Sequence, residues 1–238
     1  MKKFLTVALA GVLAASMLFT GCSKKAESKV PDKLIVGTNA EFPPFEYMND
    51  KKQPEGFDIA MIKEIGKRMG KKVEIKNMEF KSLIGAMESD SINAIIAGMT
   101  KTEKREKAVD FSDSYYTTNQ AIILKKDSKI TKLAQLDGKK IGVQEGTTGD
   151  LISSGDKFGD GKKAKVLVKG AKVKRFKKGV DAVMDLKNGS VDAVVIDELT
   201  ANEFVKKNAK KLKIVIDSAG SEYYCIALTK GNTAYKEE

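Results

Sequence analysis

"LIGAMESDSINAIIAGMT", residues 83–100, and "VDAVMDLKNGSVDAVVIDEL", residues 180–199, repeat one pattern. Each gives an amphipathic helix, a polar turn, Ser-[Ile/Val]-[Asn/Asp]-Ala, and an apolar strand that ends on Gly98 in one copy and Asp197 in the other. Outward from these copies, short β-rich runs are predicted at 33–37, 72–76, 92–98, 119–126, 139–144, 173–176, 192–197, 213–217 and 223–230. Helical patterns fall between them. In residues 57–70, Ile59, Ile62, Ile65 and Met69 recur at helical spacing and the pattern stops at Gly70. Strands alternating with helices imply mostly parallel sheets with covered faces. The chain therefore reads as α/β with two similar lobes, the second beginning near Ile123. Ligands of open parallel sheets bind beyond the carboxyl ends of strands, so facing lobes would bring Gly98 and Asp197 to one cleft. The same unit also recurs in α/β proteins without any shared site.

Composition narrows the chemistry. The 238 residues are 42% hydrophobic and 32% charged, which is globular and long enough for one large domain or two small ones. The formal charge is +11, but the lysines are scattered, as in Lys71-Lys72, Lys139-Lys140 and Lys206-Lys207. A nucleic-acid surface concentrates them on one face with aromatics between, so no nucleic-acid partner is expected. The chain has no histidine, which removes Ser-His-Asp triads and His-ligated zinc. Its two cysteines, Cys22 and Cys225, form neither a CxxC pair nor a four-thiolate site. No metal or cofactor is expected.

The first residues, "MKKFLTVALAGVLAASMLFTGCSKKAESK", combine a basic start, an apolar run from Phe4 to Phe19 and small residues before Cys22. A run this short with these flanks is a secretory signal, not a spanning helix. The stretch "LFTGC" resembles a bacterial lipobox, with cleavage before Cys22 and lipid attached to it; Phe19 stands where leucine is usual. Cys225 is then left as a small apolar residue, and residues 23–32 read as a tether. The folded part would sit outside the membrane on its lipid.

Four strand ends carry candidate chemistry. Gly98 permits close backbone approach, and Thr100 offers a hydroxyl. The next helix starts with Thr102 as N-cap, or with Thr100 and Glu103 as a capping box. Helical side chains lean back towards the N-terminus, so Arg105 can reach over the strand end and hold a carboxylate with its fork. The plainer alternative pairs it with Glu103 or Asp110. Asp197 leaves an apolar run where a carboxylate needs a partner; it suits an ammonium group, the N-cap of the helix behind it, or both. Gln144, Thr147 and Thr148 in "VQEGTTGD" (143–150) sit at another helix start. No GxxxxGK[ST] and no GxGxxG after a strand is present, which disfavours nucleotides. In "GTNAEFPPFEY" (37–47), Pro43-Pro44 sets an extended turn that would hold Asn39, Phe42 and Phe45 near the first strand end. Phe80 could supply a second aromatic wall, while Phe45 reads as core.

Five stretches, "VGTNAEFPPFEY", "GFDIAMIKEIGKRMG", "AIIAGMTKTEKREKAVDFSDSYY", "KKIGVQEGTTGD" and "DAVVIDE", together resemble the polar amino-acid family of extracellular solute-binding proteins that serve ABC importers. The resemblance spans roughly residues 33 to 230, in order. It implies a type II periplasmic-binding-protein fold with two α/β lobes joined by two crossing strands, near residues 115–120 and 222–225. Lobe 1 would be 33–118 plus 222–238 and lobe 2 would be 119–221, closing on a free amino acid for a permease, as a monomer. By resemblance Arg105 takes the α-carboxylate with Thr100 and amides near Thr148; Asp197 and a carbonyl near Gly98 take the ammonium. Phe42 and Phe80 sandwich the side chain, and Asn39 and Gln144 read its polar end. Family members often carry aspartate at the position of Asn39, so Glu41 or Glu46 is the candidate replacement. The sequence stops at Glu238, where the family usually continues through further helices. An enzyme on the same scaffold, acting on a small carboxylic acid through Glu41 or Glu145 as general acid, is the alternative.

Overall fold

The computed structural model describes residues 31–155, 168–216, 221–232 and 234. The signal segment, Cys22 and nearly all of the tether lie outside the described residues. In chain order the elements are β1 (Lys33–Thr38), β2 (Glu41–Phe42), β3 (Glu46–Met48), β4 (Pro54–Glu55), α1 (Phe57–Arg68), β5 (Lys72–Asn77), α2 (Leu83–Glu88), β6 (Ala94–Ile95), α3 (Glu103–Ala108) and β7 (Val109–Thr118). Then come β8 (Gln120–Lys125), β9 (Lys140–Gln144), α4 (Thr148–Ser154), β10 (Lys172–Phe176), α5 (Gly179–Asn188), β11 (Ala193–Asp197), α6 (Glu198–Lys206), β12 (Leu212–Ile216) and β13 (Glu222–Thr229).

Two five-stranded sheets organise these elements, in the orders β5-β1-β6-β13-β7 and β10-β9-β11-β8-β12. Within the first, β1 runs parallel to β5 and β6; within the second, β9 runs parallel to β10 and β11. The helix–strand copies that open the sequence reading, α2–β6 and α5–β11, take the central place in their sheets. Each sheet is completed by antiparallel strands, β13 and β7 in one, β8 and β12 in the other. The chain crosses between the sheets at two of these strands, β7 and β13. β7 hands the chain to β8 through Asn119 alone, and β13 brings it back to the first sheet.

Burial follows the predicted periodicities. On α1, Ile59 and Ile62 are buried, and Ile65 and Met69 pack on the cluster of Leu34, Val36 and Ile96. The strands β8 and β11 are apolar over residues 121–124 and 193–196 and buried there on both faces, as the centre of a covered sheet requires. One cluster runs from Ile123, Val194 and Phe204 of the second lobe to Phe42, Phe45 and Tyr224, so the two lobes share apolar packing beside the crossing strands. Cys225 is a free, buried thiol.

Three local readings change. The strand expected over 92–98 forms regular pairs only over Ala94–Ile95, because the Asn93 side chain accepts the Ile35 N–H at its start and Gly98 turns the chain at φ +50°. The crossing strand expected near residues 115–120 begins earlier, at Val109, and is paired along β13 with register shifts around Cys225. A small sheet of β2, β3 and β4 also surrounds the Pro43-Pro44 turn.

Candidate functional site

Arg105 is the third residue of α3. Thr102 is the N-cap of that helix, its Oγ1 accepting the Arg105 N–H at 3.2 Å, while Thr100 Oγ1 donates to Glu222 Oε2 at 2.7 Å. The capping question is therefore settled for Thr102. The guanidinium folds back and is 6% exposed. Its Nη1 donates to the Thr100 carbonyl at 2.6 Å and its Nη2 to the Gly146 carbonyl of the second lobe at 3.1 Å. It lies 5.2 Å from the centre of the Phe80 ring. Burial lowers its pKa to about 10, opposed by Glu222, Asp197 and Tyr224, and it stays a cation at neutral pH. Glu103 and Asp110 are not its partners: Asp110 accepts from Lys230.

From the second lobe, β11 delivers Asp197 in a fully buried run. Asp197 occupies the N-cap position of α6, but its side chain makes no capping bond and accepts instead from the Tyr224 hydroxyl at 2.5 Å. Burial pushes its carboxyl up to about 7, with Glu222 adding to the rise and hydrogen bonds from Tyr224 and Gln120 opposing it. A desolvated cation and a desolvated acid thus come to one place from different lobes.

The end of β9 supplies the rest. Thr147 caps α4, accepting the Asp150 N–H at 3.3 Å, and its hydroxyl donates to the Gln144 carbonyl at 2.8 Å. Thr148 Oγ1 accepts from Gln120 at 3.0 Å and donates to Glu222 Oε2 at 2.6 Å. Gln144 Nε2 donates to Asn39 Oδ1 at 2.8 Å and to the Lys177 carbonyl at 3.2 Å, and Asn39 Nδ2 donates to the Met78 carbonyl at 2.8 Å. Gln144 Oε1 is buried without a donor.

Phe42, Phe80, Ala97, Gly98, Thr100, Arg105, Gln144, Thr147, Thr148 and Asp197 line one small cavity with about 10 Å³ of free volume, room for about one water molecule. Asn39 joins the lining through Gln144. Phe45 is core, as read, packed edge-on to Tyr116 and Tyr224. Among the described residues three ion pairs cross between the lobes: Glu41 with Lys178 at 2.6 Å, Glu79 with Lys177 at 2.6 Å and Lys81 with Glu145 at 2.9 Å. Of the acids considered as substitutes near Asn39, Glu41 is in that ion pair, and Glu46 is fully buried against Asp58 and does not line the cavity. Among the described residues no cluster of His, Cys, Asp or Glu could hold a metal ion.

Ala97, Gln120, Glu222 and Tyr224 were not picked out from sequence. Glu222 and Tyr224 are two apart on a crossing strand, so both point to one face. That spacing was the available signal.

Two α/β lobes with matched sheets, joined by crossing strands and sharing a small cavity with a buried cation and a buried acid, define a bilobal solute-binding protein. The family model for bacterial extracellular solute-binding proteins, family 3, matches residues 34–235, and the chain belongs to that family. The arginine-binding extracellular protein ArtP of Bacillus subtilis (strain 168) is 35% identical over 224 residues, covering 93% of this chain and 83% of the relative. Among solved structures, the arginine-bound form of truncated ArgBP from T. maritima is 41% identical with a TM-score of 0.74, covering 85% of this chain and 90% of that one. An ancestral arginine-binding protein bound to glutamine is 42% identical with a TM-score of 0.77, covering 88% and 89%. The family and these relatives are solute-binding proteins, not enzymes.

Proposed function

We propose that this chain captures a free L-amino acid whose side chain ends in N–H donors, arginine foremost and glutamine next, and hands it to the permease of an ABC importer. The observation that carries this reading is the pair of opposite, desolvated charges, Arg105 and Asp197, on one small cavity. A zwitterion supplies each with its counter-charge, and only paired charges tolerate such burial. Arg105, Thr100, Thr147 and Thr148 take the carboxylate. Asp197 takes the ammonium with a carbonyl from the Ala97–Gly98 segment. Phe42 and Phe80 flank the side chain, and Asn39 and Gln144 meet its end, where Gln144 Oε1 is an acceptor without a donor. Relatives whose names specify arginine, and an ancestral relative bound to glutamine, support the side-chain class.

In this reading residues 33–118 with 222–238 form one lobe and 119–221 the other, and the monomer is held to the membrane by lipid on Cys22 after signal cleavage. A thermal-shift screen of the protein from Ser23 on, against the twenty amino acids and cystine, tests it. At a hundredfold excess over Kd the binder should add about 2.7 kcal/mol of stability, and Arg105→Ala should lose that shift while keeping its own cooperative melt. No shift with any of these compounds would refute the reading.

A further inference from the structure

Glu46 on β3 and Asp58 in the first turn of α1 are both 0% exposed. The Asp58 N–H donates at 2.9 Å to the carbonyl of Phe45, the neighbour of Glu46, which brings the two carboxyl groups into one buried place where each acts on the other's ionisation. Asp58 Oδ2 accepts two donors, the Gly98 N–H at 2.8 Å and the Tyr115 hydroxyl at 2.8 Å. Its Oδ1 and both oxygens of Glu46 are buried with no donor at all. The titratable groups that act on the pair are Asp197 from β11, Tyr115 from β7 and Tyr224 from β13, and none of these is a cation. Two carboxylates without a cation cannot both stay ionised in a dry interior, and one proton between them resolves the conflict. That proton gives the Asp58 Oδ1 a donor and leaves one neutral carbonyl oxygen on Glu46.

Which acid keeps the charge follows from the helix. The amides of Phe57 and Asp58 donate to the carbonyls of Pro44 and Phe45, which seats the start of α1 against the proline turn. The positive end of the twelve-residue α1 favours an anion on Asp58, as do the two donors on its Oδ2. Burial and the neighbouring Asp58 hold the Glu46 carboxyl well above the usual range.

The pair reaches the cavity through one peptide. N–H and C=O of a trans peptide point in opposite directions, so tying the Gly98 N–H to Asp58 turns the Ala97 carbonyl away from α1. Ala97 and Gly98 both line the cavity. A Cβ on Gly98 would sit 3.2 Å from the Phe42 ring and 3.3 Å from Tyr224, so the segment is also pinned from its other sides.

We propose that Glu46 and Asp58 share a single proton, Glu46 as the neutral acid and Asp58 as the anion, and that this pair positions the Ala97–Gly98 peptide to receive the ammonium of the ligand. The positioning role rests on the amino-acid reading of the cavity. The shared proton does not.

Two measurements on the folded chain separate these parts. Infrared spectra at pH 7 should show a carbonyl band of a neutral carboxylic acid in the parent protein that Glu46→Gln removes. If Glu46→Gln removes no such band, the shared proton is wrong. Calorimetry with L-arginine and L-glutamine supplies the second arm. Glu46→Leu should weaken whichever binds by about tenfold, the scale of one hydrogen bond to a charged group. Glu46→Gln, which keeps a neutral donor against Asp58, should recover most of that loss. Full affinity in Glu46→Leu would overturn the positioning role. Binding of neither amino acid to the parent protein would overturn the ligand reading and the positioning with it, while the infrared band still decides the proton.

Discussion

Arg105 and Asp197 are both stripped of water, yet burial acts on them with opposite consequences at neutral pH. Arg105, lowered to about 10, remains charged. Asp197, raised to about 7, is only part ionised. In the unfolded chain that aspartate loses its proton near pH 4, about its ordinary value. Between there and about pH 7 the folded state holds the extra proton, so this group's contribution to stability falls as pH rises through the window. Ligand capture works the other way, because an ammonium partner favours the ionised acid. Binding should therefore expel a proton below about pH 7. Affinity should weaken as pH drops from 7 to 5, approaching about tenfold per unit for a single coupled proton. Calorimetry at pH 6 in buffers of different protonation enthalpy should register that release, and at pH 8 it should nearly vanish. Affinity independent of pH from 5 to 8 would rule out Asp197 as the ammonium site. Both residues could be singled out in the sequence as candidates, Asp197 as a charge ending an apolar strand and Arg105 as a first-turn arginine able to lean back over one. Glu222 was not, since its role depends on the register of β13 against β7, which no local pattern encodes.

At the scale of elements, the site is a meeting of strand ends and helix starts, and its precision depends on how closely those approach. The start of α4 sets the limit. A Cβ on Gly149 would lie 2.8 Å from the Val195 carbonyl oxygen of β11 and 2.9 Å from Gln120 Oε1 of β8. No rotamer relieves a clash with backbone, so only glycine lets α4 pack there. Gly149→Ala should push the helix off the sheet and cost roughly 1–3 kcal/mol, as overpacking of a tight core does. It should also weaken ligand binding, because Thr147 and Thr148 move with the helix start. Denaturant unfolding and calorimetry check the two effects. Unchanged stability would mean that α4 has slack that the measured approach denies. The helices and most strands were readable from apolar spacing. The sheet of β2, β3 and β4 was not, because runs of two or three residues are too short to show a period. The length of β7 was missed for a related reason, since its polar residues follow no clean alternation.

Across the whole molecule, the cavity is closed by contacts that belong to different lobes, and the ion pairs at its rim carry a recognisable logic. The first lobe presents Glu41, Glu79 and Lys81; the second answers with Lys178, Lys177 and Glu145. Each pair is partly exposed and screened by solvent, so each contributes little. Their effect on fold stability should be correspondingly small. Their effect on binding is a separate matter, because every one of them exists only when the lobes are together. A ligand that bridges the lobes gains whatever these pairs add to the closed population. Reversing one charge should therefore lower ligand affinity by a few-fold while leaving the melting temperature of the ligand-free protein nearly unchanged. The strongest form of this test is a swap. Glu41→Lys places two lysines against each other, and adding Lys178→Glu restores an attractive pair with the charges exchanged. Affinity should fall in the single variant and return in the double variant, and raising the salt concentration should shrink the difference between them. Equal losses in the single and double variants would show that Glu41 matters for some contact other than Lys178, and closure would then owe nothing to this pair.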